Sequence, residues 1–182
     1  MLLVSGLEDW QKIDGRHLRR TLFLDGDYPA ALHASIYQNR SDVGAIAVSS
    51  PCGVRLVAEL GGVLPTLFDE QARHIGGSAR PIPDRVGASN ERLREVFRRG
   101  DNAVLVGRQL LCLGMTSERV LFNTELVEKC ARAYTIARAT GRPIKRIPWW
   151  VRMIAKRRLI KDERKAALSH SRGLMPESVG AY

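Results

Sequence analysis

Short apolar runs alternate with longer stretches of helical periodicity along this chain. Residues 2–4 and 21–24 are apolar runs that read as strands, with turn chemistry at Asp14-Gly15 between them. Asp25-Gly26-Asp27 is a turn in which Asp27 can cap a helix, and Pro29 then falls in the first turn, where its missing N–H costs nothing. Leu32 and Ile36 form one apolar stripe, and this helix should end near Asn39-Arg40. Residues 43–48 read as a buried strand with Ser49 and Ser50 at its tip. Gly76-Gly77 and Arg80-Pro81-Ile82-Pro83-Asp84 mark a loop. A helix is predicted over 90–99, with Leu93, Val96 and Phe97 inward and Gly100-Asp101 as its stop. Two apolar runs, 103–106 and 109–113, flank Gly107-Arg108 and predict a hairpin. From 117 to 140 the spacing of Val120, Val127, Ala131 and Tyr134 is helical, and Gly141 with Pro143 closes the element.

Charge separates the last part of the chain from the rest. Between Arg142 and Arg172 eleven lysines and arginines face two acids, Asp162 and Glu163, so nearly all of the net charge of +10 lies there. A near-neutral domain over 1–147 and a basic C-terminal tail over 148–182 follow. The tail opens on Trp149-Trp150 and continues through Met153-Ile154, Lys156-Arg157-Arg158 and Leu159-Ile160. Arg157 and Arg158 interrupt any apolar stripe, so the tail reads as a partly helical extension. Tryptophans beside a basic run also suit a polyanion surface. Hydrophobic content of 45% supports a single packed domain. No run approaches the ~20 apolar residues of a membrane helix, and the N-terminus lacks the pattern of a signal peptide. Cys52, Cys112 and Cys130 are odd in number and widely spaced, which fits reduced packing thiols in a cytoplasmic protein.

Two segments carry a family resemblance. The first is His33-Ala-Ser-Ile36-Tyr37 followed by Arg40, Asp42-Val43, Ala45-Ile46 and the strand tip through Pro51; the second is the hairpin and then Thr124-Glu125-Leu126-Val127-Glu128 on to Ile144. Both, in this order and spacing, resemble the class II aldolase/adducin family over residues 2–147. The resemblance implies a three-layer α/β/α domain with a central, predominantly antiparallel sheet, a tetrameric assembly, a helix at 54–60 ending in Gly61-Gly62, a further strand at 64–67, and a C-terminal extension packing across a neighbouring subunit.

In the enzymes of that family zinc is held by three histidines, with a glutamate nearby, and polarises the substrate oxygen. The matching positions here are Val48, Ser50 and Arg108 for the histidines and Pro29 for the glutamate. Zinc prefers thiolate, imidazole and carboxylate donors, so the resemblance implies a scaffold without its metal and without a cofactor. His33 matches a family histidine that is not a ligand and reads as a structural group. Ser49, Ser50, Arg108 and Gln109, with His33, form the candidate ligand site: hydroxyls and a guanidinium able to hold a small carboxylate or phosphate. The plainer reading makes the serines strand-end residues and Arg108 a solvated turn.

Three functions fit. One is a non-catalytic aldolase-like protein that assembles as a homo-oligomer, or with an active class II aldolase homologue, in an assembly or regulatory role. Another is a metal-independent enzyme acting in the old cleft on an oxo-acid or sugar phosphate. The last is an adducin-like interaction module with an anion-binding tail. An integral membrane location and nucleic acid as partner are not expected.

Overall fold

The computed structural model describes residues 2–5, 10–13, 16–19, 36–82, 95–97 and 100–176. Its centre is a five-stranded sheet. Strand β1 is Leu2–Ser5; β2 (Trp10–Ile13) and β3 (Arg16–Arg19) pair with each other as a separate antiparallel ribbon. β4 (Ala45–Ser49), β5 (Arg80–Ile82), β6 (Ala103–Val106) and β7 (Gln109–Gly114) complete the sheet in the order β1-β4-β7-β6-β5. All neighbours are antiparallel except β5 and β6. The expected predominantly antiparallel α/β fold is therefore found.

Period-two alternation sorts the strand side chains onto two apolar faces. Ala45, Ala47, Ala103, Leu105, Leu110 and Cys112 meet helix α1 (Cys52–Glu59) and the long helix α3 (Ser117–Ala139). Ile46, Val48, Val104, Val106, Leu111 and Leu113 meet Ile36, Val96 and Phe97 on the other side. Both faces are covered, so the strands read as continuous apolar runs. The turn between β6 and β7 needs Gly107, whose φ of 56° is the left-handed region. Thr116 caps α3 by accepting a hydrogen bond from the Arg119 N–H at 3.1 Å. Cys112 and Cys130 are buried in the core, as packing thiols.

The strand expected at 64–67 is absent. Leu64 makes only a single bridge to Ala79, since Pro65 has no N–H for a ladder. The buried Gln71 of α2 (Asp69–His74), a helix not anticipated from sequence, serves that segment instead: its side chain accepts from Leu67 N–H and donates to the Pro65 carbonyl. Conversely, the loop expected at 80–84 begins as β5. Pro81 is tolerated there because β5 is the edge strand, where an N–H is not needed. The strand expected at 21–24, the turn and helix start at Asp27 and Pro29, and Leu93 lie outside the described residues.

The basic tail is a helix of 23 residues, α4 (Trp149–Ser171), and it packs on α2 of its own chain. Its buried residues are Ala155, Leu159, Glu163 and Ala166. Their spacing is helical, but the stripe is narrow, small and includes an acid, which is why the sequence pattern reads as interrupted. Leu159 and Ala166 join Met115 in a third apolar cluster. α4 lies across one end of the sheet: Lys156 is near Gly100, Leu159 near Gly76, and His170 reaches the Ser41 carbonyl at 3.1 Å. No helix among the described residues is long and apolar enough to cross a membrane.

Candidate functional site

The two ends of the sheet are built from different chemistry. At one end β4 finishes at Ser49 opposite Leu110 of β7, and the same register sets Ser50 beside Gln109 and the Gly107-Arg108 turn. Alternation then divides the serines. Ser49 follows Ala45 and Ala47 onto the α1/α3 face, whereas Ser50 follows Ile46 and Val48 onto the other. Two consecutive strand-end hydroxyls thus do not converge on one anion. Ser49 is buried and its Oγ has no hydrogen-bond partner among the described residues, while Ser50 is exposed. His33 lies outside the described residues.

Both features of this end that attract anions already hold a carboxylate of the chain itself. Arg108, 71% exposed, is ion-paired with Glu59 at the end of α1. The N-terminal amides of α1, where a helix favours negative charge, donate to Glu128 of α3: Gly53 N–H to Oε1 at 3.0 Å and Val54 N–H to Oε2 at 3.3 Å. Pro51 cannot cap this helix with its side chain, so Glu128 substitutes from a distant part of the chain. Gly53 leaves room for it, since a Cβ there would press on Glu128 and Arg132. Val48 is 5% exposed among apolar neighbours, Ser50 offers a neutral hydroxyl, and Arg108 is a cation. These residues do not fit a zinc site. Among the described residues no group of three histidines, cysteines, aspartates or glutamates could hold a metal ion.

The opposite end carries a buried ionic network. Arg40 donates to Asp42 through Nε at 2.8 Å and Nη2 at 2.7 Å, a bidentate pair. Its Nη2 also reaches Asn102 Oδ1 at 2.8 Å and Glu163 Oε1 at 3.1 Å. Glu163 of α4 further accepts from Gly100 N–H at 2.8 Å. Arg40, Asp42 and Glu163 are all at most 2% exposed. Burial pushes the Glu163 carboxyl up to about 7, opposed by the charge of Arg40. Burial alone would weaken the charge on Arg40, but Asp42 and Glu163 outweigh it and hold the pKa of its guanidinium above the ordinary value.

Beside this network His74 accepts from Arg119 Nη1 through Nδ1 at 2.7 Å and meets the edge of Phe122. Burial, then the charge of Arg119, lowers His74 to about 4, so the ring is neutral. Sequence reasoning missed this assembly. It set Arg40 and Asp42 within a motif but gave them no role, and it counted Glu163 as a tail acid. The available signal was the i, i+4, i+8, i+11 spacing of Ala155, Leu159, Glu163 and Ala166.

Known proteins share this architecture. The fold is similar to that of an L-fuculose 1-phosphate aldolase, with a TM-score of 0.62 and 21% identity, over 78% of this chain and 67% of the other. It is similar to YgbL, a putative aldolase/epimerase/decarboxylase from Klebsiella pneumoniae, with a TM-score of 0.57 and 19% identity, over 74% and 69% of the two chains. An L-fuculose-1-phosphate aldolase from Thermus thermophilus matches with a TM-score of 0.55 and 15% identity, over 78% and 85%. At such identities the likeness is one of fold. No curated protein matches the sequence. Residues 10–135, more than half of the chain, match the model of the class II aldolase and adducin N-terminal domain, and the chain belongs to that family.

Proposed function

We propose that this chain is a non-catalytic member of the class II aldolase family, acting as an assembly or regulatory partner of a homologue whose metal site is intact. The observation that carries this reading is the state of the sheet end at Ser50. Val48 is part of the apolar core, and Arg108 and the α1 amides are paired with Glu59 and Glu128. A divalent ion placed there would meet a guanidinium and two neutral groups in place of three imidazoles.

Uncovered apolar side chains support an assembly role. Trp150 and Ile154, one turn apart on α4, are 53% and 45% exposed, and Leu56, Leu60 and Val63 are exposed at the end of α1. Surfaces of this kind are where subunits meet. Native mass spectrometry of the chain mixed with a zinc-loaded class II aldolase tests the proposal. Mixed oligomers that form with the intact chain and weaken in Trp150→Ala are expected. A chain that stays separate from the aldolase, and that alone cleaves a sugar phosphate, would overturn the reading.

A further inference from the structure

A second concave region lies at the sheet end away from Ser50, between the first turns of α4 and the edge strand β5. It is a cleft of about 740 Å³, within the roughly 300–1,000 Å³ of small-molecule sites. One wall is bare backbone. Gly76 has φ 90° and no room for a Cβ against the Gly100 carbonyl, and a Cβ on Gly77 would strike the Asp101 carboxylate. The other wall is α4, which turns Trp149, Arg152 and Lys156 toward the cleft, while Arg80 enters from β5.

Charge in the cleft is unevenly satisfied. Its carboxylates are Asp101 and Glu95, and Lys156 donates to Asp101 at 2.9 Å. Arg80 and Arg152 make no ion pair among the described residues. The Nε of Arg152 is shielded from solvent and has no hydrogen-bond acceptor among them. Arg152 lines the cleft without an ion-pair partner among the described residues, and a carboxylate or phosphate oxygen there would supply one. Beside it the Trp149 indole is 66% exposed and presents a flat apolar surface at the mouth of the cleft.

We infer that this cleft binds a small organic anion, a carboxylate or phosphate joined to a planar apolar body. The anion sits on Arg152 and Arg80 and the body lies against Trp149. The cleft uses no residue of the sheet end at Ser50 and neither Trp150 nor Ile154, so it shares α4 with the proposed partner surface but none of the residues named for it. The planar guanidinium suits a two-oxygen anion better than a lone ion would require. A bare inorganic anion recovers only the electrostatic part of the binding.

Calorimetric titration of the full chain with phenyl phosphate, benzoate and inorganic phosphate tests it. Phenyl phosphate or benzoate is expected to bind, and inorganic phosphate to bind more weakly. Arg152→Gln should weaken binding by about tenfold or more. Arg80→Gln, which alters an exposed side chain, should weaken it as well. Trp149→Ala should reduce phenyl phosphate to the affinity of inorganic phosphate while leaving the latter unchanged. Arg108→Ala, at the other sheet end, should change nothing. No binding of any probe at millimolar concentration, or equal affinities in wild type, Arg152→Gln and Arg80→Gln, would overturn the inference.

Discussion

The end of the sheet at Ser50 and the end beneath α4 are made from the same strands, yet they differ in how their charges are used. Beneath α4, Arg40, Asp42, Asn102 and Glu163 form a closed network in which the polar groups are buried and mutually bonded. At Ser50 the cation of the turn is solvated and paired across the surface: Arg108 with Glu59 at 71% and 57% exposure. Buried networks specify how elements dock, because a missing partner strands a charge in low dielectric. Exposed pairs constrain little. The scaffold is therefore tied together by buried charge at the α4 end, whereas Arg108 at the Ser50 end is held only by an exposed pair.

That contrast sets the largest expected effect. Glu163→Ala leaves Arg40 buried with one carboxylate fewer and removes the acceptor for Gly100 N–H, so it should cost about 3–5 kcal/mol in urea unfolding. A loss below about 1 kcal/mol would show that α4 is not anchored through this residue.

Acidity separates the two buried groups of the α4 end. Glu163 has a folded pKa raised from 4.5 to about 7, so its contribution is fully present below 4.5 and is lost as pH rises through 7. His74 is lowered from 6.5 to about 4, so its contribution is fully present above 6.5 and is lost as pH falls through 4. Between 4.5 and 6.5 the two slopes oppose each other, each up to about 1.4 kcal/mol per pH unit. Wild-type stability should be nearly flat there. His74→Gln should leave stability falling with pH, and Glu163→Gln should leave it rising. Parallel profiles in both variants would refute the assignment of these groups.

The smallest expected effect is at Ser50's end. Arg108→Ala should alter stability by no more than about 1 kcal/mol, since its ion pair is largely in water. A loss of several kcal/mol on thermal unfolding would mean that this end is as structurally committed as the other.

Much of the fold was legible because its signals are local. The hairpin turn at Gly107, the start and stop of the Ser117–Ala139 helix, and the alternating core of β4 and β7 follow from neighbouring residues. What sequence missed depends on partners far along the chain. Gln71 replaces a strand at 64–67 by bonding to that backbone, and Glu128 caps a helix begun at Cys52. Glu163 could be placed only once Arg40, more than a hundred residues away, was beside it. The candidate site was legible as positions, since Ser50, Gln109 and Arg108 do share one sheet end. Its convergence was not, because strand parity sends Ser49 to the other face and Glu59 occupies Arg108.

The central claim is that the Ser50 end has no zinc chemistry to offer. Calorimetric titration of zinc into the metal-stripped full chain tests it most directly. The account predicts no stoichiometric binding, and the same heats in Ser50→Ala and in wild type. One tightly bound zinc per chain, lost in Ser50→Ala or His33→Ala, would contradict it.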